Sequence, residues 1–436
     1  MASSTTSPEK AETDRAANKA VNSADRRAAQ LAREIDGHRR RGYTEQALVA
    51  RQEMVQLIEE SYGKDSWQTC SARLALWREQ SITAFTPEKR QANETAEART
   101  RSANESWQNG NADEALASIV SARSLATQVW GADTYGVANL LDQEAHWRQA
   151  KGDAPTAETL FRQALKIREQ VFTRLHPETI STASSLGRLL LATQHRDEAG
   201  TLLKQCVDDA AKVWGEEHPD YGGHLNNLAL LYLDSGDHKQ AATLFARTAE
   251  IWLATLGDKS PRVGEAQLNL GRTWYAAGDY AQAVTALNDS LTSLEASLGK
   301  ENAITRKARS TLGLAQIAVR NYPEAESLLQ TDVELTRRQF GEDHPETAEG
   351  LLRLAILYGN QGRYPEAMPL VERAAAIHHA KLGPDSALSK NANSIAAMVR
   401  SRLARDARTR PAGVPASSAA ESGGTVRTSF EQPVKR

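Results

Sequence analysis

The sequence predicts an all-α protein, a right-handed superhelical solenoid of antiparallel helix pairs. Three observations carry this. Glycines that follow an aromatic residue or leucine recur every 42 residues, at Gly215, Gly257, Gly299, Gly341 and Gly383, with Gly131 two steps earlier. A second series of marks lies half a step before each slot, at Gly110, Gly152, Gly236, Gly278 and Gly362, with Gln194 and Arg320 in the two remaining slots. Five residues beyond each of these marks stands an alanine in every copy: Ala115, Ala157, Ala199, Ala241, Ala283, Ala325 and Ala367.

The marks have physical causes. Between them lie stretches of about 15–20 residues with apolar positions at helical spacing. A glycine after such a stretch stops a helix in the left-handed region, where a Cβ would clash. Pro219, Pro261 and Pro345 follow the stops and suit the first turn of the next helix, whose N–H has no partner to lose. His218 and His344 stand beside two of them and read as loop and capping residues, and the copy that lacks its glycine at Thr173 keeps the flanking His176-Pro177. The alanines let the two helices of a hairpin approach closely. Each unit is therefore helix, tight turn, helix, loop.

Along the chain, residues 1–20 are small, polar and charged and are expected to lack fixed structure. Residues 21–110 form irregular helical repeats. Here "RGYTEQALVARQEMVQLIEESYG" supplies a turn and second helix, but Gly131 follows Gly63 by well over one repeat and well under two. The surplus predicts one extra helix, in "WQTCSARLALWREQSITAF", split near Thr86-Pro87 from the helix that follows. Residues 111–383 hold the regular repeats. Residues 384–407 read as a capping helix, in which Leu388, Ile395, Met398 and Leu403 cover the end of the stack. Residues 408–436 mix Pro, Gly, Ser and charge and are expected to be an unstructured tail.

A period of this length also suits other helical repeats, so the internal signature decides. Leu228, Ala229, Tyr232, Ala241 and Phe245 follow a large-small-x-x-aromatic…Ala-x-x-x-Phe order. Leu270, Gly271, Trp274, Ala283 and Leu287 repeat it, as do Leu354, Ala355, Tyr358, Ala367 and Val371, while copies near Ala145 and Ala397 keep the small residue. "HPDYGGHLNNLALLYLDSGDHKQAATLFARTAEIWLATLG" closely resembles the 42-residue tetratricopeptide repeat of kinesin light chains and of the many bacterial proteins that share it. The resemblance covers roughly residues 111–403. It does not extend to the heptad coiled coil by which kinesin light chains join the motor. The alanine- and arginine-rich usage is that of a bacterial chain.

The composition narrows the function. The chain has 436 residues, 25% charged, with a formal net charge of -2. Nucleic acid is not the expected partner, since phosphate binding needs a basic excess. Nor is a membrane, since no apolar run approaches about 18 residues and the amino terminus lacks a signal-peptide core. Cys70 and Cys206 form neither a disulfide framework nor a zinc spacing, and a cytoplasmic location is expected. No phosphate loop, His-Glu-x-x-His or nucleophile elbow is present, and neither cofactor nor metal is expected. His378-His379 occupies adjacent positions on a helix, which point apart. Trp130, Trp214, Trp252 and Trp274 fall in repeat slots and are expected to pack between helices. The chain is read as no enzyme.

Stacked hairpins curve into an extended concave surface, which the resemblance implies is lined by the first helix of each pair. Stepping by one repeat along these helices picks out Arg188, Asn227, Asn269, Arg272 and Arg353, and Lys307 joins them five residues before Leu312. These positions resemble those by which tetratricopeptide grooves hold peptide backbone and carboxylates. Asparagine can pair with a peptide amide, and arginine offers a planar fork to a carboxylate. Leu230, Leu314 and Ile356 offer apolar contacts on the same helices. Pairing of the arginines with carboxylates of a neighbouring helix, and of the asparagines between helices, are the alternatives. The expected function is a non-catalytic scaffold or adaptor that takes an extended, acidic segment of another protein. The alternative is a regulatory sensor that controls a separate effector. Arg353→Ala and Arg272→Ala are both expected to leave folding nearly unchanged. The sequence leaves the oligomeric state open.

Overall fold

Apolar residues at helical spacing, cut by left-handed turns, produce helices and nothing else among the residues that the computed structural model describes. These are 8–409, with side chains from 23 to 405. The chain divides after Gly215 into two compact units.

The first unit opens with the hairpin α1 (Pro8–Arg40) and α2 (Thr44–Tyr62), followed by α3 (Trp67–Thr83). Three further hairpins follow: α4 (Pro87–Gln108) with α5 (Ala112–Trp130), α6 (Tyr135–Ala150) with α7 (Ala154–Val171), and α8 (Pro177–Ala192) with α9 (Arg196–Trp214). The second unit holds α10 (Pro219–Asp234) with α11 (His238–Leu256), α12 (Pro261–Ala277) with α13 (Tyr280–Leu298), α14 (Ala303–Ala318) with α15 (Tyr322–Phe340), and α16 (Pro345–Asn360) with α17 (Tyr364–Leu382). It ends on α18 (Ala387–Thr409). Helix α1 begins inside the segment 1–20 that was expected to lack structure. Its first turns, PEKAETDRAANKA, are rich in strong helix formers. The tail expected from 408 on lies outside the described residues beyond Thr409.

The seven hairpin alanines are all fully buried. The small slot two helical turns before the hairpin turn is equally tight. At Gly271 a Cβ would lie 2.5 Å from Leu287 Cγ and 3.3 Å from the Ala283 carbonyl oxygen. Within the second unit α12 touches α14 and α14 touches α16, so the first helices of successive pairs form one continuous face.

The turn itself tolerates a side chain. Gly278 closes α12 at φ 81°, with its N–H donating to the Tyr275 carbonyl and Asp279 N–H donating to Trp274. Arg320 (φ 63°) and Gln194 (φ 67°) hold the same left-handed geometry with the same pair of bonds, Arg320 N–H to Ile317 and Asn321 N–H to Gln316 in the first case. A left-handed residue with a Cβ costs about 1–2 kcal/mol, partly offset by the greater unfolded-state entropy of glycine. Arg320→Gly is therefore expected to stabilise the second unit by about 0.5–1 kcal/mol, read as a raised midpoint in denaturant melts.

The capping helix differs in register from the expectation. Ala392, Ala396 and Val399 are its buried seam and join the core formed with Val371, Ala374 and Ile377. Ala396 takes the small slot and Ala397 is exposed. Leu388, Ile395, Met398 and Leu403 are half-buried flanks, because among the described residues no second helix packs behind α18 to cover them.

Candidate functional site: the face of the first helices

The loop histidines act as caps. His176, His218 and His344 each accept, through Nδ1, the N–H two residues on, at 3.2 Å in all three copies. His176 does more. With Nδ1 an acceptor, Nε2 carries the proton of the neutral ring and meets Ser71 Oγ on α3 at 2.8 Å. The ring stacks on Phe172 with centroids 3.7 Å apart, and Trp67 meets it edge-on. Burial, aided by the nearby Arg168 guanidinium, pushes its pKa down to about 4. The unfolded ring titrates near 6.5, so between those values the unfolded chain binds the extra proton. Stability is then full above about pH 6.5 and falls as pH drops toward 4. The expected loss at pH 5 is roughly 2 kcal/mol. His176→Asn, which keeps a capping side chain, should flatten the pH dependence of thermal melts in this range.

Of the six candidate positions, Arg188 lies in the first unit, exposed on α8. The other five lie in the second. Asn227 on α10 and Asn269 on α12 are half-buried. The Asn269 side-chain amide donates to Asn226 Oδ1 at 3.4 Å, an interhelical contact of the kind that competes with peptide binding. Arg353 on α16 is also engaged, by Glu349 at 3.4 Å and by Asp332 of α15 at 3.8 Å. Asp332 is buried. Burial raises its pKa against the pull of Arg353, Arg309 and Arg306. The expectation that Arg353→Ala spares the fold therefore fails on this geometry: it would strip a buried carboxylate of a cation. Leu230, Leu314 and Ile356 are half-buried and pack on the cores beneath them.

Arg272 on α12 and Lys307 on α14 are different. Among the described residues neither side chain has a carboxylate partner. The two cations face each other across successive first helices, close enough for Arg272 to depress the Lys307 pKa, although burial is the larger cause. Burial alone lowers that of Arg272. Arg272 is thus half-buried and Lys307 exposed on adjoining helices, and neither has a carboxylate counter-ion among the described residues.

Sequence reasoning missed the charges beneath this face. Arg309 is fully buried and pairs with Glu295 at 2.8 Å, while Arg306 pairs with Glu346 at 3.4 Å and lies over the Phe340 ring. His378 is buried, within reach of the Leu388 and Pro345 carbonyls and 3.8 Å from Glu349. The neighbouring His379 shares none of these contacts. No group of three potential metal ligands occurs among the described residues. Cys70 and Cys206 are both free thiols, and burial drives the Cys206 pKa up to about 12. Trp252 is buried and donates from Nε1 to the Pro219 carbonyl at 2.7 Å, the packing role expected for it. No helix among the described residues is long and apolar enough to cross a membrane.

Repeated hairpins with a shared face of first helices define a helical-repeat protein. A family model of the tetratricopeptide repeat matches residues 136–212, 220–296 and 304–402, more than half of the chain, and the chain belongs to that family. Repeats of a Podosopora anserina putative kinesin light chain are 26% identical over 48% of this chain and 98% of theirs, with a TM-score of 0.45. BtubC (BKLC) from P. vanneervenii is 19% identical over 57% of this chain and 91% of its own, with a TM-score of 0.43. A signal transduction ATPase with a tetratricopeptide repeat sensor, from Pyrococcus horikoshii, reaches a TM-score of 0.54 at 12% identity. It covers 86% of this chain and 55% of its own, a likeness of fold. No curated protein matches the chain.

Proposed function

We propose that this chain is a non-catalytic scaffold or adaptor that binds an extended, acidic segment of a partner protein on the face of its first helices. One observation supports the reading above the rest: Arg272 and Lys307 stand on the touching helices α12 and α14, without a carboxylate partner among the described residues. Mutual repulsion and lost hydration cost free energy, and a partner carboxylate set between the two would offset both. Asn227 and Asn269 lie on this face too and can take peptide amides where they are not bonded to each other's helices. Two free thiols are in keeping with the cytoplasm. The test is binding of a panel of labelled extended peptides, acidic, neutral and basic, at two salt concentrations. Acidic peptides should bind best and weaken as salt rises, since exposed pairs are screened over about 8 Å. Equal binding of all three classes, unaffected by salt, would overturn the reading.

The alternative, a regulatory sensor of a separate effector, has its own support in the first unit. Helix α3, the surplus element, walls a recess against α4, α5 and α6, so an occupant there would bear on how α3 sits.

A further inference from the structure

The recess under α3 arises because the repeat pattern is broken there. Helix α3 packs on α2 but makes no comparable contact with α4, the next helix in the chain. It is nonetheless held firmly. The buried Glu79 takes Arg39 of α1 at 2.8 Å and Arg51 of α2 at 3.3 Å. Near its other end, Ser71 meets His176. The walls are thus pre-formed, and the space between α3, α4, α5 and α6 is a cavity of about 320 Å³.

The lining has a clear chemistry. Trp77 and Trp130, 5.7 Å apart between ring centroids, form an aromatic wall with Leu74 beside them. Trp130 is fixed by its indole N–H, which donates to Asn93 Oδ1 at 2.8 Å, while Asn93 Nδ2 donates to Glu97 Oε1 at 3.1 Å. Trp77 is about half exposed, unusual for so large an apolar side chain fixed beside a cavity. Three charges line the space. Glu97 is neutralised by Arg78 at 2.9 Å. Arg101 has no carboxylate partner among the described residues, so the lining carries one uncompensated positive charge.

We propose that this cavity is a binding site for a compact aromatic carboxylate, its ring against Trp77 and Trp130 and its carboxylate on Arg101. The volume sits at the small end of ligand pockets and suits a single ring with a short acidic arm. A cation is disfavoured, because Arg78 already occupies the Trp130 face, 5.9 Å from the centroid, and satisfies Glu97.

The probes are phenylacetate, its neutral amide phenylacetamide and the cation phenethylamine, each titrated into the full chain and followed by saturation-transfer NMR and calorimetry. Phenylacetate should bind with a dissociation constant on the order of a millimolar or tighter, as suits a fragment of this size. The amide should bind about tenfold more weakly and the amine not at all. Trp77→Ala and Arg101→Gln should each weaken phenylacetate binding about tenfold. Both positions are exposed enough for the fold to survive, and matching melting curves would verify this. Arg101→Gln should also abolish the preference for acid over amide. No binding of phenylacetate at concentrations tenfold above that range, tighter binding of the amine, or an acid preference that survives Arg101→Gln would each overturn the assignment. None of these results bears on Arg272 and Lys307, which belong to the other unit.

Discussion

Replacing Ala283 by leucine should destabilise the second unit by about 3 kcal/mol, the upper end of typical overpacking losses. Ala283 is fully buried on α13 beside Gly271 of α12, in a core shared with Leu268, Leu287, Leu294 and Leu312. Its own carbonyl oxygen lies 3.3 Å from where a Cβ on Gly271 would stand. Neither helix can retreat without opening the contact to α14. Ala276→Leu provides the control: it adds the same carbons at an exposed position of α12, and should stay within about 0.5 kcal/mol. Denaturant melts measure both, and hydrogen exchange should show the loss concentrated in α12–α14, since repeats lean mainly on their neighbours. Equal midpoints for the two variants would mean that the alanine slots are not the hairpin contact.

Reversing both cations, Arg272→Glu with Lys307→Glu, should abolish binding of an acidic peptide while leaving the melt nearly unchanged. Charge-assisted hydrogen bonds contribute about 1.5–3 kcal/mol each, so each single reversal should cost roughly 10-fold to 100-fold in affinity. Folding is spared because neither side chain has an internal carboxylate to abandon. Arg353→Ala should behave in the opposite way and lower stability, because Asp332 would lose its charge partner in a buried place. The comparison separates the cations that the fold uses from those it leaves for a partner. Peptide affinity and melts measured for the double reversal, both single reversals and Arg353→Ala decide it. Unchanged affinity in the double reversal would move the binding surface off this face.

The repeat frame was legible because its constraints are local. A left-handed turn asks for glycine, and even the departures at Gln194 and Arg320 were visible as slots out of place in the series. A hairpin contact asks for alanine, and the histidine caps lie beside prolines whose position the loops dictate. The charged face was harder to read. Stepping by whole repeats places Arg272 and Arg353 on equivalent helices, but only the structure separates them. Glu349, four residues before Arg353, is a signal the sequence did carry. Asp332 could have been suspected from its place half a repeat before Arg353, on the facing helix. The recess in the first unit was not legible, since it depends on the path of α3 across elements far away in the chain.

That path has a consequence for how the protein is made. A helical-repeat array can grow by adding each pair to the one before, with contacts confined to near neighbours in the chain. The bond between Ser71 and His176 breaks that order, because its two ends are 105 residues apart. At ordinary translation rates of about 5–20 residues per second, the second end follows the first by roughly 5–20 s. For that time α3 can lie on α2, held through Glu79, but lacks its second anchor, and Trp67 lacks the His176 ring that meets it edge-on. The seating of α3 is therefore completed only when α8 has been made. This is the part of the molecule where an assisting chaperone would find exposed apolar surface, and where loop closure, not helix formation, sets the pace of folding.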